Sequence, residues 1–87
     1  MIGVDLMGFR EKGTRISLEA NDVPGILEDI GGIFNKYNMN ITHIADFKTG
    51  ENTAEVIIRT NSMNTDIIEA ELEARGYLIN SIMKNIG

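Results

Sequence analysis

Polar and apolar residues alternate in the first part of the chain and then change to a helical spacing. Residues 15–19 alternate, with Ile16 and Leu18 on one face, as expected for a strand with one buried side. Residues 21–25 are typical of a loop that leads into a helix. The apolar positions that follow recur at a helical period and predict one buried stripe formed by Ile26, Leu27, Ile30, Ile33, Phe34 and Tyr37. Asn38, a residue type that tolerates the left-handed conformation, is expected to end this helix.

Two further strands are predicted in the middle of the chain. In the first, residues 41–47, strict alternation places four residues on one face: Ile41, His43, Ala45 and Phe47. Neither face of this strand is purely apolar. Residues 48–52 contain Gly50 and have the length of a hairpin connection. The second strand, residues 53–60, alternates well and directs three apolar side chains inward: Ala54, Val56 and Ile58.

The last third of the chain predicts a second helix and a fourth strand. Residues 66–75 carry an apolar face of Ile67, Ile68 and Leu72. Gly76 stands where a helix-ending glycine is expected, and residues 77–83 form the strand.

The predicted order is therefore strand-helix-strand-strand-helix-strand. Right-handed crossovers and a central hairpin favour an α+β fold of the ferredoxin-like type, a four-stranded antiparallel sheet with both helices on one face. The other face of such a sheet has no helices over it. Alternation assigns Ile44 and Ile57 to this open face, so we expect something to cover them.

Composition narrows the function. The 87 residues suffice for one domain, and the net charge of −5 disfavours binding to nucleic acid or to an anionic membrane surface. No apolar run is long enough to cross a bilayer. The chain has no cysteine, which excludes disulfides and thiolate metal sites and fits a cytoplasmic location.

The sequence offers no constellation for catalysis. His43 is the only histidine, and Asp46, three positions later, falls on the opposite face of its strand. There is no set of nucleophile, base and orienting residue, and no glycine-rich phosphate loop. We therefore expect neither an enzyme nor a bound metal or other cofactor.

Three short motifs carry a resemblance to a known family. Asp22-Val23-Pro24-Gly25, the Asn40-Ile41 step and Gly76-Tyr77, taken with the order of the elements, resemble the ACT domain family. The resemblance implies a regulatory domain that spans residues 14–87, with residues 1–13 as an extension or linker. It also implies a small-molecule effector, in the first place an amino acid, and a homodimer.

The stretch from residue 6 to residue 15 resembles the junction between a pair of CBS domains and a terminal ACT domain in proteins of the acetoin-utilisation type. Because a CBS pair does not precede it here, this resemblance implies a natural fragment, a standalone relative or an excised piece.

The ACT resemblance also predicts the site. It implies that Asp22 and Asn40 contact the effector, and the predicted ligand-binding set is Asp22, Val23, Gly25, Ile26, Asn40 and Ile41. Each of the two key residues has a structural alternative. Asp22 could instead cap the first helix by accepting a hydrogen bond from the Gly25 N–H, and Asn40 could only close a turn.

A second function is compatible with the same sequence, a structural dimerisation module without its own ligand that transmits a signal from partner domains. Gly31 and Gly32, in the middle of the first helix, support it. Each glycine costs about 1 kcal/mol relative to alanine in a helix. The pair is expected to permit a close approach to a sheet, a partner helix or a ligand.

Overall fold

A computed structural model describes residues 12–22 and 24–86. The elements along this part of the chain are β1 (Gly13–Asn21), α1 (Ile26–Lys36), β2 (Ile41–Lys48), β3 (Thr53–Thr60), α2 (Asp66–Ala74) and β4 (Leu78–Asn85). The four strands form one antiparallel sheet in the order β2-β3-β1-β4, with both helices on one face. The predicted ferredoxin-like fold is confirmed.

The core lies between the two helices and the inner face of the sheet. Alternating residues of β1 and β3 and the stripes of both helices supply it, and the buried apolar cluster consists of Ile16, Leu18, Ile26, Ile30, Ile33, Phe34, Val56, Ile58, Ile68 and Leu72. Three predicted members of the helical stripes do not belong to it: Tyr37 is partly buried and packs against it, Leu27 is 41% exposed and Ile67 is 52% exposed. The helices therefore bury narrower stripes than the sequence pattern predicts.

A β-bulge at the start of β2 changes which side chains face the core. Ile41 lies opposite Thr60, but the next paired residue, His43, lies opposite Arg59, so Thr42 is an extra residue in β2. A bulge of this kind breaks the alternation of faces. Ile41 packs against the core, whereas His43 lies on the open face. The prediction that both share one face was wrong.

The same bulge corrects the prediction for the open face. Ile44 lies opposite Ile58, which is part of the core, so Ile44 belongs to the helix-covered face and not to the open one. Ile57 does lie on the open face, opposite Ala45. Asp46 shares the helix-covered face with Ile44, because it lies opposite Val56.

β4 pairs with β1 and contains a second irregularity. Ser81 lies opposite Ser17, but Leu18 lies opposite Ile79, which leaves Asn80 as the extra residue. The shift directs Ile79 towards the core.

The helix ends largely follow the predicted signals. Asn38 has a φ of 55° just after α1, and Gly76 has a φ of 93° just after α2. Gly13 begins β1 for a different reason: a Cβ at this position would overlap the carbonyl oxygen of Thr60. Only a glycine fits so close an approach of two strands.

Glu71 on α2 ties the two helices together. Its carboxylate accepts a 2.5 Å hydrogen bond from the Tyr37 hydroxyl and contacts of 3.1 Å from Lys36 and 3.0 Å from Arg75. The Tyr37 hydroxyl first, and then the two cations, lower the pKa of Glu71 to about 2.

Asp29 on α1 holds the segment that leads into β4. It accepts hydrogen bonds of 2.5 Å from Arg75 and from the Tyr77 hydroxyl. Burial, and then the hydrogen bond to Asp29, raise the pKa of Tyr77 to about 12. Hydrogen bonds and ion pairs of Glu71 and Asp29 thus connect the two helices and the start of β4.

Candidate functional site

The connection between β1 and α1 forms one wall of a surface cavity. The backbone N–H of Asp22 donates a 2.8 Å hydrogen bond to the carbonyl of Asn52, which attaches the end of β1 to the β2–β3 hairpin. Gly25 then adopts a φ of 87° and a ψ of 4°, the left-handed conformation that a glycine accommodates without a Cβ clash. This turn directs the chain into α1, whose first residue is Ile26.

The cavity has a volume of about 540 Å³. Seven described residues line it: Asp22, Pro24, Gly25, Ile26, Leu27, Glu28 and Asp46. Asp46 reaches it from β2, because the bulge places this residue on the helix-covered face. The cavity therefore lies where the end of β1, the start of α1 and the end of β2 meet.

Three carboxylates give the cavity a negative character: Asp22, Glu28 and Asp46. The Asp22 carboxylate lies 3.9 Å from the ammonium of Lys48, and both side chains are partly exposed. The same cavity contains the first turn of α1. Helix N-termini have N–H groups without intrahelical partners and favour negative ligand groups. An ammonium group and a carboxylate group can therefore both find complementary partners here.

The structure assigns the N-cap of α1 to Gly25 and not to Asp22. Asp22 therefore does not cap this helix with its side chain. Its carboxylate instead lines the cavity next to Lys48.

Only some of the predicted site residues lie close together within a single chain. Asp22, Gly25 and Ile26 line the cavity. Val23 lies outside the described residues. Asn40 is exposed and Ile41 packs against the core, and both lie where β2 begins, whereas the cavity is reached from the opposite end of that strand.

Sequence reasoning missed Glu28 and Asp46 as cavity residues. Glu28 could have been found, because it lies in the first turn of a helix that begins at a predicted site. Asp46 could not, because its position depends on the bulge in β2.

The described residues were compared with the requirements of a metal site and of a membrane-spanning helix. Across residues 12–22 and 24–86, no three His, Cys, Asp or Glu side chains are grouped to hold a metal ion. Neither of the described helices is long and apolar enough to cross a membrane. His43 lies on the open face, where its Nδ1 is 3.3 Å from the Thr42 hydroxyl.

Comparison with known families agrees with this geometry. The family model of the ACT domain matches residues 14–79, which is most of the chain and includes the β1–α1 loop. The chain belongs to the ACT domain family. ACT domains are regulatory and often bind amino acids. No curated protein matches this ACT domain.

Among solved structures, this ACT domain is similar to the crystal structure of an unknown protein from Galdieria sulphuraria. The two share 19% sequence identity with a TM-score of 0.68, over 87% of this chain and 46% of the other. The chain thus spans about half the length of that protein, and the similarity concerns the fold alone.

Proposed function

We propose that this ACT domain is a regulatory module that binds an amino acid in the cavity between β1 and α1. The observation that carries the proposal is that one cavity of about 540 Å³ contains both carboxylates, which favour an ammonium group, and a helix N-terminus, which favours a carboxylate. Asp22 and Asp46 would hold the ammonium group of a zwitterion. The N-terminal turn of α1 would receive its carboxylate.

We further propose that the domain acts as a homodimer in which β2 pairs with β2 of a second copy. Among the described strands, β2 has β3 as its only neighbour, so its other edge is open. Antiparallel pairing about a two-fold axis would bring the start of one β2 beside the end of the other. Asn40 and Ile41 of the second copy would then approach Asp46, and the six predicted residues would belong to one site shared by two chains.

The glycine pair of α1 supports the same assembly. A Cβ built at Gly31 or Gly32 meets no other described residue within 4 Å, so the pair serves no close contact within the described chain. Close contact with a partner helix would give a physical reason for two helix-weakening residues, as would close contact with a ligand.

A thermal-shift screen of the full chain against the common amino acids tests the effector. An amino acid present at 100 times its dissociation constant adds about 2.7 kcal/mol of stability. For a domain of this size that raises the melting temperature by more than about 10 °C. Asp22→Asn should reduce the shift to about half or less, whereas Asp66→Asn, at the exposed start of α2, should retain it.

If no amino acid shifted the thermal unfolding transition, the proposal of an amino-acid effector would be refuted. A dimer in sedimentation without any such shift would instead favour the second candidate, a structural dimerisation module that transmits a signal from partner domains. The glycine pair favours that candidate equally. A monomer at micromolar concentration would exclude the homodimer.

The resemblance of residues 6–15 to a CBS–ACT junction suggests partner domains of the CBS type. We place such a protein in the cytoplasm, in keeping with the absence of cysteine.

A further inference from the structure

Lys48 stands at the end of β2, beside the acidic cavity, which is the one that Asp22, Glu28 and Asp46 line. It lies opposite Ala54, a fully buried residue of β3, so its side chain leaves the strand on the helix-covered face. Asp46, two residues earlier, lies on the same face. The end of β2 therefore presents both an anion and a cation on the side where the cavity lies.

The β2–β3 hairpin fixes Lys48 close to Asp22. The Thr49 N–H donates a 3.0 Å hydrogen bond to the carbonyl of Thr53, which closes the hairpin directly after Lys48. The Asp22 N–H donates to the carbonyl of Asn52 in the same hairpin. Both backbones are thus held at the base of one turn, and the Lys48 ammonium lies 3.9 Å from the Asp22 carboxylate.

This ion pair is weak enough for a ligand to replace. The separation of 3.9 Å exceeds the length of a charge-assisted hydrogen bond, about 2.7–2.9 Å, so charge attraction alone joins the two groups. The Lys48 side chain is 66% exposed, and water can hydrate its ammonium group once that group leaves the carboxylate. A ligand ammonium inside the cavity could approach to hydrogen-bond distance and form the stronger contact.

Asp22 differs in this respect from the other carboxylates of the acidic cavity. Among the ion pairs between described residues, only that of Lys48 with Asp22 involves a carboxylate that lines the cavity. A ligand ammonium that binds Asp22 must therefore take the place of a cation that is already there.

We propose that Lys48 competes with the ammonium group of the effector for Asp22. Lys48 pairs with Asp22 in the free domain and leaves it when an amino acid binds. The competition lowers the affinity and so raises the effector concentration at which the domain responds. This inference rests on the proposed function, because it concerns the same cavity and the same class of ligand.

The opposite role for Lys48 would be to bind the carboxylate of the amino acid. In the proposed binding mode the first turn of α1 receives that carboxylate, whereas Asp22 receives the ammonium group. Lys48 lies beside Asp22, so it would face the positive end of the ligand, and the two ammonium groups would repel each other. The two roles predict changes of opposite sign when the charge of Lys48 is removed.

Calorimetric titration of the full chain with the common amino acids, each into wild type and Lys48→Gln, tests the competition. Any amino acid that binds the wild type should bind Lys48→Gln about two- to fivefold more tightly, the range expected for the loss of an exposed ion pair. Equal or weaker binding to Lys48→Gln would overturn the inference and leave the proposed function intact. If no amino acid bound either chain, the proposed function would fail, and the inference with it.

Two control variants separate competition from a general effect of charge. Lys48→Arg keeps the cation and should keep the wild-type affinity. Lys12→Gln removes a positive charge at an exposed position near the other end of β1 and should also leave the affinity unchanged. Tighter binding to Lys12→Gln, equal to that of Lys48→Gln, would refute a specific role for Lys48.

A double-mutant cycle shows whether Lys48 acts through Asp22. In an Asp22→Asn chain the carboxylate for which Lys48 competes is gone, so the further change Lys48→Gln should leave the weakened affinity unchanged. If Lys48→Gln tightened binding by the same factor with and without the Asp22 carboxylate, the competition would be disproved. The cycle compares affinities rather than melting temperatures, so a change in the stability of the fold does not imitate the expected result.

Discussion

Two cavities of similar size lie at the two ends of β1, and charged side chains of opposite sign line them. Near the carboxyl end, Asp22 and Asp46 line a cavity of about 540 Å³, and near the amino end Arg15 and Arg59 line one of about 450 Å³. The carboxylates come from a loop and from the end of an edge strand, whereas the arginines stand on two central strands. The acidic cavity therefore lies beside the open edge of β2, whereas the two arginines stand inside the described sheet.

The backbone at the two ends also differs. Gly25, at the acidic end, has a left-handed φ of 87° but open space where a Cβ would lie, whereas Gly13, at the basic end, lies against the carbonyl of Thr60. Gly25 is required by a turn and Gly13 by a close contact between strands. Replacing them should therefore cost different amounts of folding free energy.

Alanine substitutions at these glycines should have the largest effects. Gly13→Ala should destabilise the fold by about 3 kcal/mol, because its Cβ would overlap a backbone oxygen that two paired strands hold in place. Gly25→Ala should cost about 1–2 kcal/mol, the penalty of a left-handed conformation alone. Urea unfolding measures both. An equal or larger cost at Gly25 would contradict the distinction between the two ends.

Substitutions at the two ends of β1 should separate their roles in the proposed amino-acid binding. Asp22→Asn should weaken this binding at least tenfold, about 1.4 kcal/mol, whereas Arg15→Gln, at the other end, should leave it unchanged. Calorimetric titration of both variants with the amino acid gives the two affinities. Equal weakening by the two substitutions would contradict the assignment of the ligand to the acidic end.

The helix beside the acidic cavity should respond to a smaller change. Gly32→Ala should stabilise the monomer by about 0.5–1 kcal/mol, because alanine favours a helix and the added Cβ meets no other described residue within 4 Å. The same change should weaken the proposed dimer. Unfolding at low protein concentration and sedimentation at high concentration measure the two effects. Unchanged dimerisation would contradict a close contact of α1 with a partner helix at Gly32.

Acid should weaken the fold through Glu71 in the helical layer. The pKa of Glu71 is about 2 in the folded chain and 4.5 ordinarily. Its stabilising contribution is therefore complete above pH 4.5 and is lost as the pH falls from 4.5 to about 2. Glu71→Gln should flatten the pH dependence of the melting temperature in this range.

Glu73→Gln, an exposed position on the same helix, provides the matched control and should keep the wild-type slope. An unchanged slope in Glu71→Gln would mean that its contacts with Tyr37 and Lys36 contribute nothing measurable. That result would agree with the small energies typical of exposed ion pairs.

Much of the fold follows from local patterns. The period-two alternation in β1 and β3 and the period of 3.6 in α1 predict where the core lies, because burial of one face imposes these periods. Asn38 and Gly76 mark helix ends for a local reason, their tolerance of positive φ. The ACT assignment likewise rests on short motifs and element order.

The pairing register was decided by the tertiary structure. Nothing in residues 41–47 marks Thr42 as the extra residue of a bulge, and that residue decides that Ile44 and Asp46 face the helices. The acidic cavity depends on this choice, since Asp46 would otherwise lie on the open face. The basic cavity depends on register too, because Arg15 and Arg59 are 44 positions apart and meet only through the pairing of β1 with β3.

By itself, the sequence determined the order of the elements, the core-facing residues of β1 and β3, and the loop that forms one wall of the acidic cavity. These features depend on neighbours in the chain. Only the tertiary structure decided which charges share a cavity, because contacts between strands follow from register and a single extra residue exchanges the two faces.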